Sequence, residues 1–255
     1  METLNRKPFQ GVWNIFRFNW PFFAAGLVTT MGLFAASVLF MTPYSAWLFM
    51  IGLCILSVML ISLGVSHYVY DRSRLYRLTW IPEWTLPAHP EMVLLHAGFD
   101  ESSPFLFRKY PKASWQMMDL YDPEKHSEPS IRRARRAYPP DDTIRRIDTE
   151  QIDWMHTRAD VQFLFLAAHE VRLRSERIVF LKQLQNGLKE EGKVVIVEHL
   201  RNLPNFLAYT IGFLHFYSEK EWKLNFKEAG FRVEQQIAIN PFVKAFILVK
   251  NGTAS

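Results

Sequence analysis

The chain has 255 residues, a formal net charge of +5 and one cysteine, Cys54. That length allows one α/β domain of ordinary size plus an additional segment, and one cysteine excludes both a disulfide framework within the chain and a cysteine-based zinc site. The first 78 residues hold six Lys or Arg and two Asp or Glu, whereas the other 177 hold 24 and 23, so the basic excess flanks an apolar region and no nucleic acid is expected as a partner.

The N-terminal region is predicted to cross a membrane twice. Residues 18–70 contain no Asp, Glu, Lys or Arg, and one span needs about 20 residues. A turn at Thr42-Pro43-Tyr44-Ser45 divides this region into spans near residues 20–41 and 46–67. It is too long, and too clearly double, for a signal peptide. The alternative is a helical hairpin buried in a soluble fold.

The flanking charges predict how the spans are oriented. Six Lys or Arg lie outside the pair of spans and none lies in the connecting turn; they are Arg6, Lys7, Arg17, Arg72, Arg74 and Arg77. By the positive-inside rule, both termini and the soluble domain are expected on the cytoplasmic side of an inner or cytoplasmic membrane. Residues 1–17 are predicted to be an interfacial segment, and residues 71–90 a juxtamembrane collar and linker. The stretch 70–76 is either a basic collar at the headgroups or a helix packed over a ligand pocket.

Residues 91–255 alternate between apolar runs and helical periodicity, which predicts one soluble α/β domain. Apolar runs typical of strands lie at residues 92–95, 114–120, 143–147, 161–168 and 194–197. Helices are predicted over residues 105–109, 127–138 (with Ser127 as N-cap), 174–192 and 219–229 (with Ser218 as N-cap). The last two runs, 233–239 and 243–249, predict a hairpin. The predicted fold is a Rossmann-like, seven-stranded, mostly parallel sheet that ends in an antiparallel hairpin and follows a transmembrane helical hairpin.

Polar pairs follow the two central strands. His169 and Glu170 come directly after the run 161–168, and Glu198 and His199 after the run 194–197. Ligands of parallel α/β sheets bind beyond the carboxyl ends of the strands, so these residues are candidates for chemistry. The same four residue types could bind a metal, but their spacing has no known ligand signature, and no metal is expected.

Three stretches carry a resemblance to a known family. They are Asp160 to Glu170, Leu188 to His199 and Trp222 to Phe231. A helix ending in Leu-Lys-x-x-Gly before an apolar strand, and a late Trp-x-x-x-Phe-x-x-Ala-Gly-Phe, are both features of class I S-adenosylmethionine-dependent methyltransferases. The chain resembles that family over about residues 70–250.

The resemblance implies S-adenosylmethionine as cofactor and assigns binding residues by position. They are His96, Ala97 and Gly98 beside the methionine part, Asp119 at the ribose, Asp148 near the adenine amine, and Ala168, within the motif from Ala167 to Glu170, facing the methyl group. The family's glycine-rich loop is here Leu95 to Asp100, with one glycine of three. His96 is therefore either a core histidine of a variant loop or a ligand contact.

Transfer of a methyl group to a hydroxyl or phenol requires a base. The candidates are His169, Glu170, Glu198, His199 and His215. We favour His169, because an imidazole titrates near neutral pH and this one follows the central strand. The alternative is a histidine that only hydrogen-bonds the neighbouring strand end. Catalytic roles are thus predicted for His169, Glu170 and His199; alternatively, the stretch from Glu198 to Asn202 orients the acceptor.

The function expected is that of a membrane-anchored methyltransferase acting on a lipid-soluble or membrane-associated small molecule, with the lipid bilayer as partner. Two alternatives remain. One is a catalytically inactive, membrane-tethered scaffold, as the degenerate glycine loop suggests. The other is a lipid-phosphate enzyme that uses the arginines at 132–136, but it lacks a recognisable pairing of nucleophile and base. Those arginines otherwise form a solvated face or a patch against anionic lipid. The sequence leaves the oligomeric state open.

Overall fold

Two long apolar helices precede the sheet. The computed structural model describes residues 6–40, 43–126, 128–141, 143–154 and 158–252. Helix α1 spans Gln10–Leu39 and helix α2 spans Ser45–Ser66, followed by a π-helical turn at His67–Arg72. Both helices are long and apolar enough to cross a membrane. Within the most apolar 18-residue stretch of each helix, 6% is buried. The rest of the described chain therefore leaves most of their apolar surface uncovered.

A kink divides α1 into a short first part and a long apolar part. Asn19 has non-helical dihedral angles (φ −117°, ψ 15°), and Pro21, two residues later, has no backbone N–H to donate. The Asn19 amide donates to the Ile15 carbonyl at 3.0 Å, and the Arg133 side chain donates to the Phe18 carbonyl. Both side-chain donors thus contact backbone carbonyls of the helical turn that contains the kink.

Seven strands form one sheet in the order β3-β2-β1-β4-β5-β7-β6. The strands are β1 Glu91–His96, β2 Ser114–Asp119, β3 Arg145–Arg146, β4 Ala159–Phe165, β5 Leu188–His199, β6 Phe231–Ala238 and β7 Val243–Lys250. Strands β1 to β5 are parallel, and β7 runs antiparallel to β5 and β6. The remaining helices are α3 Ser103–Lys109, α4 Pro129–Ala137, α5 Arg174–Asn186, α6 Leu203–Tyr209 and α7 Glu219–Glu228, with 3-10 turns at Ala168–Glu170 and Thr210–His215. The predicted Rossmann-like fold with a closing hairpin is confirmed.

Each face of the sheet has its own core. One face packs against α5 and α7 through side chains such as Phe180 and Trp222. The other face is covered by the segment before β1, whose Leu75, Leu78, Trp80 and Ile81 are buried together with residues of β1. The stretch predicted as a linker therefore contributes to the core of the domain.

Two predicted boundaries are wrong in detail. Helix α5 ends at Asn186 rather than at residue 192, and β5 already begins at Leu188. Gly187 lies against the Trp154 ring, which would be 2.2 Å from an added Cβ, and Leu188 is buried in pairing with Ala159. Strand β4 ends at Phe165 instead of residue 168. The predicted N-cap Ser127 lies outside the described residues.

Candidate active site

A cavity of about 640 Å³ lies at the carboxyl ends of β1, β4 and β5. One wall consists of residues 97 and 99–102 after β1, residues 165, 166, 169 and 170 after β4, and His199 at the end of β5. The opposite wall comes from the helical hairpin and includes Phe22, Phe23, Val58 and Met59. The parallel strands end at one edge of the sheet, and the hairpin closes the space beyond that edge.

His169 reaches this cavity because the chain reverses immediately after β4. Leu166 has a left-handed backbone (φ 50°), and the 3-10 turn that follows carries His169 and Glu170. The Nδ1 atom of His169 lies 2.6 Å from Oε2 of Glu198, and its backbone N–H donates to the other Glu198 oxygen at 3.1 Å. Its Nε2 atom is 3.4 Å from Oε1 of Glu170. The fully buried Glu198 thus fixes the ring through Nδ1, and Nε2 lies beside Glu170, which also lines the cavity.

The charges in this pair favour a protonated ring. Burial lowers the pKa of His169, but the carboxylates of Glu198 and Glu170 outweigh burial and raise that pKa to about 10. Burial by itself raises the pKa of the Glu170 carboxyl, and the His169 imidazolium overrides this and lowers it below the ordinary value. Oε2 of Glu170 is buried without a hydrogen-bond partner among the described residues. The site therefore holds an imidazolium and a carboxylate oxygen that is free to accept a hydrogen bond.

A second histidine–carboxylate pair lies next to His169. Nδ1 of His215 is 3.4 Å from Oε1 of Glu128, and the rings of His169 and His215 meet edge to face with centroids 4.8 Å apart. The His215 pairing is the main cause that lowers the pKa of Glu128, against the opposing effect of burial. His169, Glu170 and His215 each offer one ligand atom within 4.8 Å of the others. Among the described residues, this trio has the geometry of a metal site, and the set with Glu198 and His199 does not.

His199 is held in one neutral form by its neighbours. The side-chain N–H groups of Asn205 donate to the carbonyls of Leu200 and Phe242, so the Asn205 oxygen faces Nδ1 of His199 at 3.1 Å. Nδ1 must then carry the proton, and Nε2 accepts from the Tyr70 hydroxyl at 2.8 Å. Burial lowers the pKa of His199 to about 3. His199 therefore connects the domain to the turn after α2, and both Tyr70 and Tyr76 from that region line the cavity.

The predicted cofactor loop is compact. Gly98 has φ +98°, which suits glycine alone, and its N–H donates to Nδ1 of His96 at 2.9 Å. Nε2 of His96 is buried without a hydrogen-bond partner in the described ranges, and burial lowers the pKa of this histidine. Strand pairing places His96 beside Asp119. The structure thus brings His96, Gly98 and Asp119 together.

Arg135 of α4 covers this loop. Its Nη1 atom donates to both Asp119 oxygens, at 2.8 and 3.1 Å, and to the Ala97 carbonyl at 3.0 Å. A Cβ placed on Gly98 would lie 1.6 Å from the same Nη1 atom. A guanidinium therefore sits where the resemblance assigns the ribose. The sequence marks Arg135 only as one of four clustered arginines, so its contact with Asp119 could not be singled out.

The other two predicted cofactor residues lie apart from that cluster. Asp148 follows β3 with a side chain that is 58% exposed and lies 3.6 Å from Lys125. Ala168 is fully buried in the 3-10 turn before His169. Asp148 is thus at the surface, away from the residues that line the cavity, whereas Ala168 supports the turn that carries His169.

The start of the chain braces the loop after β1. Arg6 forms an ion pair with Glu101 at 2.9 Å, and the Gln10 side chain donates to the same Glu101 oxygen at 2.8 Å. Asp71 accepts from the backbone N–H groups of Gly11 and Val12 at the start of α1. This contact of hairpin and loop depends on residues far apart in sequence, and no local pattern indicated it.

Known proteins are similar to this chain in fold. Neither the family models nor the curated proteins compared with the sequence give a match. Among solved structures, an O-methyltransferase family 2 protein from Planctomyces limnophilus in complex with apigenin is 14% identical with a TM-score of 0.52, covering 76% of this chain and 62% of its own. The mitomycin 7-O-methyltransferase MmcR is 13% identical (TM-score 0.51; 97% and 74% covered), and the pyocyanin biosynthetic protein PhzM is 13% identical (TM-score 0.50; 74% and 57% covered).

These neighbours define the class of fold. This chain has the α/β fold of class I S-adenosylmethionine-dependent methyltransferases, as the resemblance implies, preceded by two apolar helices. It spans 62% of the length of the Planctomyces limnophilus protein. At such low identities the likeness concerns the fold alone.

Proposed function

We propose that this chain is a membrane-anchored S-adenosylmethionine-dependent methyltransferase whose acceptor is a hydroxyl group on a lipid-soluble small molecule. The observation that carries the proposal is the 640 Å³ cavity, which has His169 and the loop after β1 on one wall and the apolar hairpin on the other. Two of the structural neighbours are named as O-methyltransferases, which supports an oxygen acceptor.

The residues at the loop after β1 fit the methionine end of the cofactor. Gly98 has no side chain to obstruct a ligand once Arg135 moves away, and Nε2 of His96, which has no hydrogen-bond partner among the described residues, offers a polar atom. Asp119 would bind the ribose hydroxyls once Arg135 releases it. When bound, the cofactor supplies an electrophilic methyl group on a positively charged sulfur.

The chain's own residues would align the acceptor and take its proton. The walls of the cavity hold the acceptor hydroxyl near His169, and this alignment can supply much of the rate. In its neutral form, His169 would accept the hydroxyl proton at Nε2 while Glu198 holds Nδ1, so that the acceptor oxygen exchanges its proton for the methyl group. A cationic ligand nearby disfavours the imidazolium and lowers its pKa, so the ring is a better base in the loaded enzyme.

The apolar hairpin supports anchoring in a bilayer. The most apolar 18-residue stretch of each helix is 6% buried, and the basic residues of this region lie outside the two spans. A lipid environment covers such surfaces without a desolvation cost, and the basic flanks favour a cytoplasmic location for both termini and the domain. An acceptor dissolved in the bilayer could then reach the cavity without crossing water.

The first experiment measures cofactor binding and methyl transfer with the full chain in lipid nanodiscs. Radiolabelled S-adenosylmethionine should bind, and label should pass to a component of a membrane lipid extract. His169→Asn should lower the transfer rate by about 10²–10⁴-fold without weakening cofactor binding, because the base is lost while the loop after β1 stays intact. His89→Asn is the matched control, because His89 is exposed and precedes the amino end of β1, at the other end of the strands from the cavity. A folded preparation that binds no cofactor at near-millimolar concentration would contradict the proposal.

A second candidate function, a membrane-tethered scaffold without activity, is favoured by the Arg135–Asp119 pair. In an active enzyme Arg135 competes with the cofactor, so Arg135→Ala should raise the affinity for S-adenosylmethionine several-fold in a binding titration. Arg132→Ala, an exposed arginine of the same helix, should leave it unchanged. If neither wild type nor Arg135→Ala binds the cofactor, the scaffold is the better description. A loss of affinity in Arg135→Ala would instead make Arg135 a cofactor ligand.

A further inference from the structure

The segment formed by α6 and the 3-10 turn after it has an uncovered apolar face. Residues 202–216 contain no Asp, Glu, Lys or Arg. Five large apolar side chains in it are between 45% and 75% exposed; they are Leu203, Phe206, Leu207, Ile211 and Leu214. Phe206 and Leu207 lie three and four residues after Leu203 on one side of α6, and Ile211 and Leu214 follow in the 3-10 turn after it. An exposed apolar surface of this size on one short element indicates an interaction site that a membrane, a protein or a ligand covers.

The side of α6 that faces the protein contains the polar residue Asn205 beside the small Ala208. Asn205 is fully buried, and its amide donates to the carbonyls of Leu200 and Phe242. Arg201 donates to the carbonyls of Leu214 and Phe216 and so fixes the turn to the domain. A helix on a water-exposed surface has the reverse arrangement, with apolar residues inward and polar residues outward. The segment is therefore built for an apolar surrounding.

The apolar face continues the surface of the hairpin. Helix α6 packs against α2, and the cavity is lined by Val58 and Met59 of α2 together with Tyr209 and Ile211 of this segment. On α2 itself, Leu60 and Ile61 are likewise exposed. One continuous apolar medium beside α2 would thus cover both elements, and Tyr209 and Ile211 border the cavity on that side.

We propose that residues 203–214 form a third membrane-contacting element, which lies in the bilayer interface with Leu207, Ile211 and Leu214 among the phospholipid acyl chains. Interfacial amphipathic helices bury their apolar face about 5–10 Å into the boundary between headgroups and acyl chains. The inference rests on the membrane anchoring in the proposed function. It adds a route for the acceptor, which passes from the acyl chains between α2 and this segment into the cavity.

Spin labels can measure the depth of this segment in the full chain. Native Cys54, exposed on α2, serves as the label site inside the span. In a Cys54→Ser background, Ile211→Cys and Leu214→Cys report on the segment, and Leu224→Cys, an exposed leucine of α7, is the matched control outside it. The labelled proteins are placed in nanodiscs of phosphatidylcholine and phosphatidylglycerol. Collisions with oxygen, which concentrates in acyl chains, are compared with collisions with a water-soluble nickel chelate.

Labels at 211 and 214 should resemble the label at Cys54, with oxygen collisions favoured several-fold over nickel collisions, and the label at 224 should show the reverse. If 211 and 214 respond like 224 while Cys54 responds as lipid-embedded, the inference is wrong and the anchoring stands. If Cys54 also responds as water-exposed, the membrane anchoring itself fails. Labels at 211 and 214 that meet neither reagent would mean that protein rather than lipid covers the segment and would also overturn the inference.

Discussion

Two buried histidines in the cavity wall differ in charge because their partners differ. His169 lies between the carboxylates of Glu198 and Glu170, and its pKa is raised to about 10. His199 has an amide and a hydroxyl as partners, and burial lowers its pKa to about 3. At neutral pH the first is cationic and the second neutral. Of these two histidines, only His169 therefore changes its protonation state as the pH rises from 7 to 10.

The protonation of His169 predicts a pH-dependent rate. Below its pKa the base form grows tenfold with each pH unit, so kcat/KM should rise with pH above neutrality. Glu170→Gln removes one carboxylate that stabilises the imidazolium, so the apparent pKa of this rise should fall by about one unit or more. The measurement is a pH–rate profile of methyl transfer. Glu150→Gln, at an exposed ion pair with Lys125, is the control. An unchanged midpoint in Glu170→Gln would remove Glu170 from this role.

Single residues were predictable only where the strand pattern placed them. His169 and Glu198 follow apolar runs, so a parallel sheet had to bring them to one edge. Arg135 could not be distinguished from its neighbours on α4, because only the tertiary contact decides which guanidinium reaches Asp119. The pairing of Glu128 with His215 was missed for the same reason.

Among the elements, the boundary between α5 and β5 is decided by packing rather than by local preference. Leu188 continues the helical spacing of the apolar residues before it, which predicts a longer helix. The fully buried Leu188 instead pairs with Ala159, and the Trp154 ring occupies the space beside Gly187. The spacing of apolar residues within one segment carries no information about a tryptophan more than thirty positions away. The predicted helix and the predicted strand both exist, while the boundary between them was wrong.

The contact at Gly187 gives a test of stability. In Gly187→Ala the new Cβ would lie 2.2 Å from the Trp154 ring, so one of the two must shift. We expect a loss of about 1–3 kcal/mol in the free energy of unfolding, as for overpacked cores. Thermal unfolding in detergent measures it as a lowered midpoint. Gly64→Ala on α2 meets no atom within 4 Å and should leave the midpoint unchanged or raise it. Equal midpoints for both variants would contradict this packing.

For the whole molecule, the sequence predicts the parts better than their assembly. A charge-free N-terminal stretch and alternating strand and helix patterns suffice for a helical hairpin and seven strands. The cavity, however, is enclosed between the hairpin and the sheet, and Arg6, Asp71 and Glu101 join the two through contacts of long sequence separation. Such contacts follow from packing and have no local signature.

The segment before β1 supplies core side chains that the sheet needs in order to fold. Residues 91–255 contain all seven strands, but they lack Leu75, Leu78, Trp80 and Ile81, which are at most 5% exposed in the core on one face of the sheet. Each such side chain contributes about 1.5–3 kcal/mol on burial, so together they supply roughly 6–12 kcal/mol. The whole stability of a domain is about 5–15 kcal/mol. The fragment 91–255 should therefore not form a stable domain and should show no cooperative unfolding transition.

A fragment of residues 73–255 is the matched control, since it lacks the hairpin and keeps all four of these core side chains. In mild detergent, which covers the cavity wall left by the hairpin, it should show a sharp thermal transition by near-ultraviolet circular dichroism. Fragment 91–255 should show none, because Met92 and Leu94 of β1 would then face solvent in place of their core partners. An equally sharp transition in both fragments would mean that residues 73–90 only cover a sheet that is already stable.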